Sequence, residues 1–304
     1  MRRLVPSLIA TSLLLTGCSS DSKNQAVVNV NQITAATMIT LPEVETVTEP
    51  RIVAVGNGSA EILVALGLQK LIVGRDIASE IEELANVPIV TNGHDLSAEK
   101  VLLADPDLLI IDPNTSPRSA LAQVERAGVE VIEMPERFDI EGIYAKIRTI
   151  SRAIGESDRG DELIAKINQS LAIAPSEKSP RVLFLYLRGS NGIFLVGGKG
   201  SGADALIDAA GGVDIGSTLY KNPFTPINSE AILGLNPDLY LVMSKGLDSV
   251  GGLKAFRKLP GIKDDLPVIA VDDSLLLSFG ARTADLIAQL SRSFDSAMRS
   301  GSSQ

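Results

Sequence analysis

The chain has 304 residues, of which 45% are hydrophobic and 21% charged, enough apolar material for about two domains and too much for wholesale disorder. A formal charge of -9 works against an extended nucleic-acid groove, which relies on massed Lys and Arg. One Cys and one His exclude an intrachain disulfide, a Cys-rich metal site and any site built from two imidazoles of one chain.

The chain opens with Met1-Arg2-Arg3, an apolar run from Leu4 to Leu15, and Leu15-Thr16-Gly17-Cys18. A positive start, a short apolar stretch and a small-residue ending read as an export signal over residues 1–17, too short to span the roughly 30 Å of a bilayer core comfortably. The Leu-Thr-Gly-Cys ending resembles a lipobox, which implies that Cys18 becomes a lipidated N-terminus. Losing residues 1–17 removes two arginines and no acids, so the formal charge moves from -9 to -11. Residues 18–49, rich in Ser, Asn, Thr and Val without a sustained period, are expected to be lipid anchor and flexible tether.

From Arg51, short apolar runs alternate with amphipathic stretches: Ile52 to Val55, Leu71 to Val73, Pro88 to Val90, Leu108 to Ile111 and Val129 to Met134. This is the rhythm of βα units around a largely parallel sheet, and it sets an N-terminal lobe over residues 50–138. Ile143, Ile147, Ile150, Leu163, Ile164, Ile167 and Leu171 then keep helical spacing with a break near Gly155, predicting a helical connector over 139–178. A second series of strands, Val182 to Leu187, Ile193 to Val196, Leu239 to Met243 and Val268 to Val271, gives a C-terminal lobe over 179–304. The fold class expected is α/β: two Rossmann-like lobes, a helical connector, and a ligand cleft between the lobes.

One segment recurs. Ser97-Ala98-Glu99 leading to Asp105-Pro106-Asp107-Leu108 is matched by Asn228-Ser229-Glu230 leading to Asn236-Pro237-Asp238-Leu239, at an offset of 131 residues. Each copy reads as a capped helix start with an acid in the first turn, followed by Pro-Asp entering a buried strand. Glu99 and Glu230 either serve only to complement their helix dipoles or present one carboxylate per lobe on a matching surface, two anchors for a partner that grips both lobes.

These features together resemble the helical-backbone class of ABC-transporter substrate-binding proteins, which bind cobalamin, iron siderophores or haem. The resemblance covers about residues 50–298 and rests on Asn57 to Gly67, the two Glu segments, and Gly280-Ala281-Arg282-Thr283. Asn222-Pro223-Phe224-Thr225-Pro226, Val242 to Leu247 with Gly251-Gly252, and Leu276 to Gly280 are similar to haemin-binding lipoproteins within the class. The resemblance implies a monomeric binding protein, not an enzyme, anchored in the cell envelope outside the cytoplasm. It would have no intrinsic cofactor, would carry haem as transported ligand, and would meet basic residues of an ABC permease, with its ATPase, through Glu99 and Glu230. A corrinoid or a ferric siderophore is the alternative cargo.

Ligands of open α/β lobes settle outside the carboxyl ends of the strands. That selects Gly56 to Ser59, Gly93-His94, Asp112 to Pro117, Glu136-Arg137, Arg188 to Gly192, Tyr220 to Phe224, Ser244 to Leu247 and Ser274 to Arg282 as cleft loops. A haem pocket needs an axial donor, apolar walls and cations for the propionates. The candidate iron ligands are His94 and Tyr220, with Tyr240, inside its strand, also read as core. Arg137 and Arg282 are the candidate propionate partners, and Phe224, Met243 and Phe279 the candidate walls. Some haem binders of this type place a histidine where this chain has Pro135-Glu136-Arg137-Phe138, which weakens a His/Tyr pair built from those positions.

Two enzymatic readings compete. Gly198 to Ala205 imitates a phosphate-binding turn, without a convincing acidic ribose partner about 20 residues on. Serine hydrolysis lacks a Gly-x-Ser-x-Gly elbow. A structural or adhesive lipoprotein is the remaining non-transport class and predicts no deep cleft.

Overall fold

The computed structural model describes residues 30–44, 49–56, 58–92, 95–172, 176–188 and 193–301. Cys18 and the export signal lie outside the described residues, as does His94. In chain order the elements are β1 (Val30–Ile33), β2 (Ile52–Ala54), α1 (Ser59–Ala65), β3 (Ile72–Arg75), β4 (Thr91–Asn92), β5 (Asp95–Leu96), α2 (Ala98–Leu103), β6 (Leu108–Ile111), α3 (Arg118–Arg126), β7 (Glu130–Glu133), α4 (Ile140–Ala153) and α5 (Ser157–Leu171). There follow β8 (Arg181–Arg188), β9 (Ile193–Gly197), α6 (Ala203–Ala209), β10 (Val213–Asp214), α7 (Ile215–Leu219), β11 (Phe224–Pro226), α8 (Ser229–Leu235), β12 (Leu239–Met243), α9 (Ser244–Ser249), α10 (Gly252–Phe256), β13 (Val268–Val271), α11 (Asp273–Ser278) and α12 (Thr283–Gly301).

The N-terminal lobe carries a parallel four-stranded sheet in the order β3-β2-β6-β7. Its order reverses between β2 and β6, which opens a crevice at their carboxyl ends. The C-terminal sheet has the order β1-β13-β12-β8-β9-β11, with β10 on β8. It is mixed, because β9 runs antiparallel to both β8 and β11. The connector is helical: α4 and α5 pack on each other, divided at Gly155 with φ +76°. Asp139 caps α4 by accepting from the Gly142 amide at 2.7 Å, and Ile143, Ile147 and Ile150 turn the buried stripe inward.

The repeat is structural as well as sequential. Ser97 Oγ accepts from the Lys100 amide at 3.4 Å and Asn228 Oδ1 from the Ala231 amide at 2.9 Å, so both helices are capped as the residue types predict. Asp105 and Asn236 both take positive φ, 49° and 47°, a conformation that Asp and Asn tolerate better than most residues. Arg51 closes one copy, its side chain donating to the Ala104 and Asp105 carbonyls at 2.6 Å each and its amide donating to Asp107. Arg181 closes the other in the same way on Leu235, Asn236 and Asp238.

One expectation is corrected here. Residues 30–44 are not a free tether. β1 pairs in parallel with β13 at the edge of the C-terminal sheet, and the chain then runs along α12, where the Thr37 amide donates to Asp285 at 2.7 Å. It reaches the N-terminal lobe where the Leu41 amide donates to the Ala65 carbonyl at 2.7 Å. Ile33 and Leu41 are buried, and Arg159 of α5 fastens the segment through the Pro42 and Leu66 carbonyls. Four-residue β1 and a lone leucine give too little periodicity to stand out in a polar stretch. The largest core cluster joins this strap, both lobes and the connector, from Ile33 through Ile147 to Phe294. The lobes therefore share a core, which favours a stiff body over a hinged one.

Candidate ligand-binding cleft

A cavity of about 450 Å³ opens between the lobes. Its N-terminal wall comes from Gly56 and Gly58 after β2 and from the Asp76 to Ile81 loop after β3. Its C-terminal wall comes from Tyr186 of β8, Met243 and Lys245 at the end of β12, and Asp273, Ser274, Leu277, Ser278 and Arg282 after β13. All of these lie toward the carboxyl ends of parallel strands, where open α/β sheets hold ligands.

The loops are set by specific bonds. Asp76 accepts from the Gly56 amide at 2.8 Å and the Ser79 amide at 2.7 Å, tying the β2 and β3 loops together. Gly58, with φ +81°, lies so close to the Ser278 carbonyl and Gly280 that a Cβ would overlap the opposite lobe. Glu61 of α1, 4% exposed, crosses to the C-terminal lobe: its Oε2 meets Arg282 Nε at 2.8 Å and its Oε1 accepts from the Arg282 amide at 2.7 Å. Lys146 of α4 is buried near this floor and donates to the Ser278 carbonyl at 3.3 Å. Its ammonium is 6.0 Å from the Phe138 ring centroid. Burial pushes its pKa down, opposed by the negative charges of Asp112 and Glu61. Asp273 is pushed up by burial, opposed by the Lys245 amide and charge.

Tyr186, absent from the candidates drawn from the sequence, lines the cavity. In β8, Leu183, Leu185 and Leu187 face the outer core of the C-terminal lobe, while Val182 and Phe184 face the shared inner core. Period two puts Tyr186 on the inner face, half-buried at the carboxyl end of the strand, where the core gives way to the cavity. Phe224 of β11 packs beside it, ring centroids 5.4 Å apart and planes tilted by 58°. Among the described lining residues Tyr186 is the only Tyr, His or Cys. The available signal was a polar-tipped aromatic in the inward register of a strand whose interior, Val182 to Leu187, is otherwise apolar.

The same alternation corrects Tyr240. It points to the outer core, fully buried, with Phe256 edge-on at 5.6 Å and its hydroxyl accepting from the Lys263 amide at 3.0 Å. Tyr220 also packs against that outer core rather than the cavity. Arg137 stays outside the lining, paired with Asp139 at 2.6 Å. Arg282 does line the cavity, with Glu61 as its partner. Of the expected walls Met243 lines the cavity, Phe224 backs Tyr186, and Phe279 is buried against Phe138. Glu99 and Glu230 are exposed in the first turns of α2 and α8. The Gly198 to Ala205 turn is filled from within: Asp204 accepts from the Gly200 amide at 2.7 Å and the Gly202 amide at 3.0 Å, so the chain's own carboxylate occupies the anion position.

Residues 52–264 match the sequence profile of the periplasmic binding protein family. The chain belongs to that family. Periplasmic binding proteins capture substrates outside the cytoplasm and are not enzymes, and among the described residues no helix is long and apolar enough to cross a membrane. The periplasmic haem-binding protein RhuT of Roseiflexus sp. RS-1, solved in its apo form, is 33% identical, with a TM-score of 0.73 over 82% of this chain and 98% of that one. A cobalamin-binding protein of Halobacterium salinarum is 25% identical over 214 residues, 68% of this chain, and the match spans only 55% of the halobacterial protein. An uncharacterized ABC transporter substrate-binding lipoprotein of Bacillus subtilis, YvrC, is 22% identical across 94% of this chain and 95% of its own length.

Proposed function

We propose that the chain is the substrate-binding lipoprotein of an ABC importer and that its cargo is haem, gripped between the lobes with the Tyr186 phenolate as a ligand to ferric iron. The observation that carries this reading is the position of Tyr186: an iron-competent oxygen donor at the cavity wall, with the tilted Phe224 ring packed beside it. Ile77, Ile81, Met243 and Leu277 offer apolar surface to a porphyrin face, and among the described lining residues Lys245 and Arg282 are the cations that would meet propionates. Similarity to a haem-binding protein at 33% identity supports the same cargo. His94 is the candidate second donor. Cys18 carries the lipid, with the residues before Val30 as the tether, and the protein works as a monomer. Glu99 and Glu230, matched by the internal repeat, dock the loaded protein onto basic residues of the permease, whose ATPase drives import.

A corrinoid is the second reading, favoured by similarity to the halobacterial cobalamin-binding protein. Absorption titration of the mature chain with haemin, then with hydroxocobalamin, decides between them. A saturable one-to-one Soret shift, weakened in Tyr186→Phe, is the result expected. Saturable binding of hydroxocobalamin with no haemin response would replace haem by a corrinoid.

A further inference from the structure

We infer that Leu102 and Leu103 on α2 and Leu233 on α8 are the apolar half of a two-point docking surface for a membrane permease made of two equivalent halves. The inference rests on the importer reading above and names what that partner must present. Glu99 and Leu102 lie three residues apart on the solvent face of α2, and Glu230 and Leu233 three apart on α8, a spacing that makes each acid and leucine neighbours on one face. Leu102 and Leu233 are equivalent in the repeat, 38% and 50% exposed, and Leu103 is 84% exposed. Their repeat neighbours behave alike: Val101 and Ile232 are both buried, as are Pro106 and Pro237.

Single exposed leucines are ordinary on a protein surface. An acid and leucine couple repeated at the same structural position in both lobes is not scatter. Both helices precede the parallel strands β6 and β12 and run antiparallel to them, so Glu99 and Glu230 sit toward the carboxyl ends of the strands, the side on which the cleft opens. The occupant follows from charge. A second copy of this chain, formally -9, would set acid against acid, and an anionic lipid surface would repel both carboxylates. A partner offering a basic group beside an apolar socket, twice, complements both halves of the couple, with the leucines as desolvated anchors next to the charge pair.

The test uses the source organism deleted for this chain and complemented with variants, measuring import of isotope-labelled haemin, or of cobalamin if the titration above selects it. The same variants are purified for ligand titration. L102S/L103S/L233S is expected to lower import by about ten-fold or more with ligand affinity unchanged. Wild-type import by this variant while E99A/E230A fails would overturn the leucine role and leave docking by the acids. Wild-type import by both variants would overturn the whole surface. Loss of ligand affinity in the leucine variant would assign those residues to the binding body and overturn the inference. Failure of the wild-type chain to restore import of haemin, cobalamin and ferric siderophores alike would overturn the importer reading, and the docking surface with it.

Discussion

Glu61 and Arg282, 221 residues apart in sequence, meet across the floor of the cleft with 2.8 Å between Oε2 and Nε, and the second oxygen of the same carboxylate holds the Arg282 amide. The pair ties α1 of one lobe to the start of α12 in the other. Its side chains are only 5% and 16% exposed, so solvent screens it little, and breaking it from one side leaves a buried charge without compensation. Close to it, a Cβ at Gly280 would overlap the Glu61 carboxylate, so the glycine is required by the pair.

Glu61→Gln keeps the shape and removes the charge. It is expected to destabilise the protein by about 3–5 kcal/mol in urea unfolding, more than replacing both partners by apolar residues of similar volume. A cost under about 1 kcal/mol would place the pair among solvent-screened surface bridges instead.

Tyr186→Phe removes the phenol while keeping the ring against Phe224. Haemin affinity is expected to fall by about ten-fold or more, with the Soret band altered, whereas Tyr220→Phe leaves both unchanged because that side chain packs on the outer core. Equal effects from both variants would return Tyr220 to the list of donors.

The strap from Val30 to Val44 carries its own stability. A chain beginning at Arg51 loses β1 and the burial of Ile33 and Leu41, each worth about 1.5–3 kcal/mol. It is expected to unfold at lower urea than one beginning at Val30, and Leu41→Ala alone to cost about 2–5 kcal/mol. Identical midpoints for the two truncations would show the strap to be dispensable.

Asp214, 1% exposed, accepts from the Gly216 and Ser217 amides, yet burial pushes its pKa up from 3.8 to about 6. The folded protein therefore binds this proton more tightly than the unfolded chain. The resulting stabilisation is fully present below about pH 4 and is lost as pH rises through about 6. Its size is about 3 kcal/mol by linkage. Asp214→Asn keeps a neutral cap, so its stability relative to wild type is expected to improve by up to that amount between about pH 4 and about pH 7. A difference that stays flat with pH would mean that the carboxyl titrates near its unfolded value.

Local chemistry was legible in the chain. A cap acts on an amide three residues away, and a helical stripe needs only its own period, so Ser97, Asn228, the two Pro-Asp entries and the connector broken at Gly155 could be read from neighbouring residues. The α/β alternation likewise reported which strands are buried, because parallel strands covered on both faces become continuous apolar runs. Which face a residue takes within such a run is a different matter. Tyr186 and Tyr240 sit in similar apolar strands, and only the packing of the C-terminal sheet's inner face into the shared core decides that one turns to the cleft and the other to the outer core. Composition could not disclose that Arg282 has Glu61 as its partner, that Lys146 is buried near the floor between the lobes, or that a polar-looking segment before Arg51 adds an edge strand to the far end of the chain. Each depends on residues brought together from opposite ends of the sequence. The repeating local pattern determined that there would be two lobes and where their helices begin; the packing of those lobes against each other decided which side chains became the site.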